Sequence, residues 1–220
     1  TPIVPVGYSP HHMGRLAEGS GTLTISAATY RGLLYDLARS LIFHGFSRIV
    51  FVTHHGSNTK LIDDTMRRLH YQTGAFICFY KTPTERECNV IADIITGKPE
   101  ETPGWHSGEV ETSMIQAWDE GMVHMDRAGK DSAHAPAWMG PAFSKRDGTA
   151  TVIFQGTENI FVPMEHHEYC DTATLGDPFA GSKEKGQKLY QRGAEHLAAF
   201  LEEVKKFPVE VKTREFPERA

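Results

Sequence analysis

A chain of 220 residues, 40% of them hydrophobic, is long enough to bury a substantial core within one domain. Its net charge of -5, without a Lys/Arg run, excludes the electrostatic footprint of a nucleic-acid or anionic-membrane binder. No apolar segment reaches bilayer length. Cys78, Cys88 and Cys170 are odd in number and widely spaced, which points to a reducing cytoplasm rather than a disulfide framework.

In chain order, residues 2–6 read as a strand, followed by a loop from Gly7 to Gly14 that carries His11 and His12. No signal peptide is recognisable, and the abrupt opening suggests that something precedes Thr1. Thr22 to Ser26 could extend briefly. Tyr30, Leu33, Leu34, Leu37, Ala38, Leu41 and Ile42 form a three-four stripe, which predicts a helix stopped at Gly45. Arg48 to Thr53 follows as a short apolar strand of the doubly buried type. After Asn58 a second amphipathic helix carries Leu61, Ile62, Met66 and Leu69 to Gly74, and residues 75–80 are the next buried strand. Ser57 or Asn58 is the expected cap of that helix. This helix–strand rhythm predicts a three-layer α/β sandwich with a mostly parallel central sheet.

Thr84 to Ile95 reads as a further helix, and a Pro/Gly loop delivers Trp105-His106-Ser107-Gly108 to a helix starting at Glu109 or Glu111. Asp126 to Thr149 is irregular and too long for a plain connection. Residues 151–154 and 160–162 read as a strand pair at a sheet edge. Ser182 opens the last long helix, and a charged tail over 208–220 is expected to fray. No linker divides residues 1–207.

Twelve histidines are many for this length, and two regions concentrate them beside turns and carboxylates. Strand 48–53 ends in His54-His55-Gly56-Ser57-Asn58, which places imidazoles at the carboxyl edge of a parallel sheet, where ligands of α/β folds bind. The second region is His106-Ser107-Gly108-Glu109-Val110-Glu111. Glu109 and Glu111 diverge on a helix, so at most one shares a site with His106, and Glu109 fits a macrodipole role. His55 nitrogen with Glu111 oxygens would suit Zn²⁺ or Mn²⁺ rather than Ca²⁺. His166 and His167, between two glutamates, read more readily as a surface strand end than as a metal patch.

Four segments resemble, in order, landmarks of the creatininase (creatinine amidohydrolase) family: Gly7 to Ser26, Thr53 to Asn58, His106 to Ser113, and Gly176-Asp177-Pro178. There the strand ends Asn-Gly-His-Gly-Gly-Asn and the later motif reads His-Ala-Gly-x-x-Glu-Thr-Ser; this chain departs at Thr53, His54 and Ser57. The resemblance implies that His55 and Glu111 ligate a metal, one or two ions of Zn or Mn. It also implies that His106, with Glu111, handles catalysis and that Trp105, His12 and Ser107 line a substrate pocket. The family's first motif, Glu-x-His-Gly-x-His-Leu-Pro, is absent, so the chain resembles the larger carboxyl-terminal part of the domain, lacking its first strand and helix. A second chain or segment would then supply the missing ligands.

The function so implied is metal-dependent hydrolysis of a small cyclic amide or cyclic carbonyl compound by a cytoplasmic homo-oligomer, a hexamer by resemblance. One branch of the family hydrolyses the cyclic polyol ketone 3-dehydro-scyllo-inosose, and the polar 126–149 loop is similar to that branch. Two alternatives are a non-catalytic assembly subunit of the same fold and an amino-terminal nucleophile at Thr1. The α/β rhythm disfavours the second.

Overall fold

The Tyr30–Ile42 stripe lies on α1 (Ala27–Phe43) in the computed structural model, which describes residues 3–13, 22–82, 89–97, 106–172 and 174–219. Ser26 caps this helix by accepting a hydrogen bond from Thr29 N, and Gly45, at φ 108°, turns the chain out of it. The chain then runs through β1 (Arg48–Thr53), α2 (Gly56–Thr73) and β2 (Phe76–Lys81). β1 and β2 pair in parallel, from Arg48 opposite Phe76 to Thr53 opposite Lys81, so this is an α/β fold built on a parallel pair with a helical crossover.

The structure divides into two compact units. The first comprises Thr1–Pro10, Gly21–Thr82 and Leu197–Ala220. Its core joins Ala38 and Ile42 of α1, Ile49 of β1 and Leu69 of α2 to Ala75 and Phe216. An adjoining cluster centres on Tyr30, Leu34 and Ile62, with Phe51 and Phe79 packed against it.

The tail packs rather than frays. Phe216 is buried, Val211 packs against the core, and Lys212 N donates to the Thr73 carbonyl at 2.8 Å. Gly74 makes this possible: it has φ 74°, and a Cβ there would lie 2.5 Å from the Glu210 carbonyl oxygen. Residues 3–6 are not a strand; pairing is limited to one bridge between Gly7 and Thr24. Pro5 has no amide hydrogen to give a ladder. Asn58 does not cap α2, whose N-cap position is His55. Its amide instead accepts from Tyr8 N at 2.9 Å and donates to Thr53 Oγ1 at 3.2 Å, tying the first loop to the end of β1.

The second unit comprises His11–Ser20 and Pro83–His196. α3 (Glu109–Trp118) starts where expected, and α5 (Lys183–Lys206) is shared between the units at Leu197. Of the helix expected over 84–95, residues 84–88 lie outside the described residues. Residues 89–94 are turns, with Ile94 N and Ile95 N both donating to the Ile91 carbonyl. Ile91, Ile94 and Ile95 are nonetheless buried against Val110 and Leu189.

The late strands are separate from the parallel pair. β3 (Phe143–Ser144), β4 (Thr151–Phe154) and β5 (Thr157–Phe161) form an antiparallel sheet in that order. Gln155 and Gly156, at φ 48° and 80°, make the two-residue turn between β4 and β5. Behind this sheet Val152, Met164, Tyr169, Cys170 and Leu175 form a core. α4 (His166–Tyr169) is seated on it.

Candidate metal centre

α4 has only four residues, so its stability must come from its ends. Glu165 and Glu168 supply it with a reciprocal capping box, each side chain accepting from the other's backbone N–H. Glu168 also accepts from Trp138 Nε1 at 3.2 Å. Tyr169 is buried beneath the helix, its ring centroid 5.1 Å from that of His166, and the Lys145 ammonium lies 4.8 Å over the Tyr169 ring. This packing holds His166 at 4% exposure, which corrects its reading as a surface residue.

Inside that environment the His166 Nε2 is buried and finds no hydrogen-bond partner among the described residues. Its Nδ1 is 3.5 Å from the Tyr169 hydroxyl, at the limit of a hydrogen bond. Burial lowers the His166 pKa; the backbone of Thr172 and the charge of Asp131 oppose that shift without reversing it. The imidazole is therefore neutral near pH 7, the protonation state a metal requires. An orphaned buried nitrogen on a neutral ring is costly unless something coordinates it.

Two more imidazoles converge on it. Ring centroids lie 4.7 Å apart for His106–His166, 5.4 Å for His12–His166 and 5.1 Å for His12–His106. One nitrogen from each ring lies within 4.8 Å of the other two. A tetrahedral zinc with Zn–N near 2.0–2.1 Å would need them about 3.3 Å apart, so the three rings would have to close further to share one ion. The His106 side chain is crowded into place: a Cβ on Gly148 would lie 2.9 Å from its Nε2.

The backbone that presents His106 is strained. His106 and Ser107 have φ values of 57° and 59°, the left-handed region that non-glycine residues avoid at a cost of roughly 1–3 kcal/mol each. Four contacts hold the bend. Leu175 N donates to the His106 carbonyl at 2.8 Å, and Thr112 Oγ1 donates to the Ser107 carbonyl at 2.8 Å. Glu111 Oε2 accepts from Ser107 N at 2.9 Å, and Thr112 N donates to the Gly108 carbonyl at 3.0 Å.

Glu109, by contrast, is a buried structural anion. Its carboxylate accepts from Lys185 Nζ at 2.5 Å, from Thr96 N and Oγ1 at 2.9 and 3.0 Å, and from Gly97 N at 2.8 Å. Burial alone would raise its pKa, but these donors together hold it below the ordinary 4.5.

Of the site residues predicted from sequence, the structure brings His12 and His106 together and places Glu111 in the first turn of α3, bonded back to Ser107 N of the loop that carries His106. Ser107 is exposed, and Trp105 lies outside the described residues. His55 belongs to the first unit, at the start of α2, where its N–H donates to Thr53 Oγ1 at 3.3 Å. His166 is the residue that sequence reasoning discounted. The Glu165–Glu168 spacing around it, followed by Tyr169-Cys170, was the available signal.

Comparison with known proteins gives a consistent result. The family model for creatininase, described as creatinine amidohydrolase, matches residues 1–201. A creatinine amidohydrolase of Pseudomonas putida is 27% identical over 193 residues, covering 83% of this chain; the chain spans 65% of that relative's length. A crystal structure of creatinine amidohydrolase superposes with a TM-score of 0.63 at 24% identity, over 94% of this chain and 75% of the other. A zinc–zinc form of a creatininase variant gives 0.58 at 22% identity, over 86% and 68%. A manganese form gives 0.57 at 24%, over 85% and 68%. These likenesses establish a creatininase-like fold, and its solved examples include zinc and manganese proteins.

Proposed function

The chain belongs to the creatininase (creatinine amidohydrolase) family, and from that premise we propose that it forms the active site of a metal-dependent hydrolase. The proposed substrate is a small cyclic amide or cyclic carbonyl compound. The supporting observation is the convergence of His12, His106 and His166 around the buried, unpartnered Nε2 of His166. Three imidazole nitrogens suit zinc better than manganese, which favours oxygen donors.

A divalent ion held there would supply Lewis acidity, polarising a carbonyl oxygen and making water nucleophilic near neutral pH. The chain's own residues do the rest. The strained His106–Ser107 bend sets the imidazole of His106 toward the other two rings, and the Glu111 carboxylate fixes that bend through Ser107 N. By resemblance, Glu111 is also proposed to act with His106 in catalysis and to supply oxygen to that ion.

The test is hydrolysis of creatinine and related cyclic amides by the intact protein loaded with zinc or manganese. Glu111→Gln should abolish turnover while leaving circular dichroism and melting nearly unchanged. Turnover that survives this substitution and metal chelation would refute the reading. His106→Ala sorts two roles for that ring: loss of turnover with metal retained assigns it to proton transfer, and loss of both assigns it to the ion.

A further inference from the structure

A cavity of about 250 Å³ in the first unit lies between α1, the end of α2 and the packed tail. It is lined by Tyr35, Arg39, Gln72, Thr213, Glu215 and Glu218, together with Pro217. It is smaller than pockets that take drug-sized ligands, so it suits a molecule of few atoms. Nothing in the hydrolase reading uses these residues.

Arg39 is the anomaly. It is 4% exposed, yet its Nε and Nη1 are buried and find no hydrogen-bond partner among the described residues. Among the described residues its guanidinium faces the Phe216 ring, with Cζ 5.6 Å from the ring centroid. A guanidinium cannot shed its charge at physiological pH, so burial without an anion is costly. The carboxylates that line the same cavity are engaged elsewhere or exposed. Glu218 Oε1 lies 3.8 Å from Arg68 Nη2 and 3.5 Å from the Tyr35 hydroxyl, and Glu215 is exposed. Tyr35 itself donates to Gln72 Oε1 at 2.7 Å.

The lining therefore carries both signs of charge: one buried cation, and two carboxylates at exposed positions. A dianion such as phosphate would satisfy Arg39 but meet Glu215 and Glu218. A simple amine would suit the glutamates and leave Arg39 unpaired. We propose that the cavity binds a small zwitterion of α-amino-acid type, its carboxylate on Arg39 and its ammonium toward Glu215 and Glu218. Charge-assisted hydrogen bonds at both ends would give selectivity over either half alone.

Calorimetric titration of the intact protein with alanine, acetate, methylamine and inorganic phosphate tests this. Alanine should bind at least about tenfold more tightly than any of the other three, and Arg39→Gln should weaken it by at least about tenfold. No alanine binding up to about 10 mM, binding unchanged by Arg39→Gln, or phosphate outcompeting alanine would overturn the proposal. Should Arg39→Gln fail to fold, the double substitution Glu215→Gln with Glu218→Gln decides the matter. It should narrow the preference for alanine over acetate, and an unchanged preference would overturn the assignment.

Discussion

Glu109 and Glu111 stand two positions apart at the start of α3 and meet opposite surroundings. One is fully buried on Lys185, Thr96 and Gly97; the other is half-buried and braces the His106 loop. The helical divergence of the two side chains was legible from spacing alone. The buried ion pair was not, because Lys185 is 76 residues away in sequence. It carries a stability prediction with a definite sign. A carboxylate whose folded pKa is depressed contributes stability above its ordinary pKa and loses it as pH falls through the folded value. Thermal melts of the wild type should therefore fall steeply on acidification below about pH 4.5, and those of Glu109→Gln less so. Lys185→Met, which strands the carboxylate, should cost roughly 3–5 kcal/mol at pH 7. Equal acid slopes for wild type and Glu109→Gln would remove Glu109 from this role.

At the scale of elements, periodic signals were read well and short or long-range ones were not. The α1 stripe, the two parallel strands and the start of α3 all follow from local apolar spacing and caps. α4 has four residues, too few for any period to show, and its burial is decided by Tyr169 and the sheet behind it. The tail misled because Lys, Arg and Glu dominate it, while its apolar contact with the core comes from Val211 and Phe216. Gly74 joins α2 to that tail contact. Gly74→Ala would add strain at φ 74° and crowd the Glu210 carbonyl, so a loss of about 2 kcal/mol in chemical denaturation is expected. The same substitution should increase hydrogen exchange at Lys212 N. A neutral substitution would mean that the tail contributes little to the first unit.

Across the whole molecule, the candidate site draws on segments far apart in sequence: the turn at residues 10–12, the loop before α3, and α4. The motif around His106 and the loop containing His12 were visible as sequence, and the family resemblance ordered them correctly. The third imidazole needed tertiary structure, because the Glu165–Glu168 capping box marks a short helix without saying that residue 166 faces inward. No helix among the described residues is long and apolar enough to cross a membrane. The homo-oligomer implied by the resemblance is a proposal that mass measurement in solution can address.

The most direct test of the metal centre is equilibrium dialysis of the purified, chelator-stripped protein against zinc, for wild type and His166→Ala. The wild type should bind zinc in a stoichiometric amount, and His166→Ala should bind it at least about tenfold more weakly while remaining folded. Identical zinc affinity and stoichiometry in the two proteins would contradict the three-imidazole site.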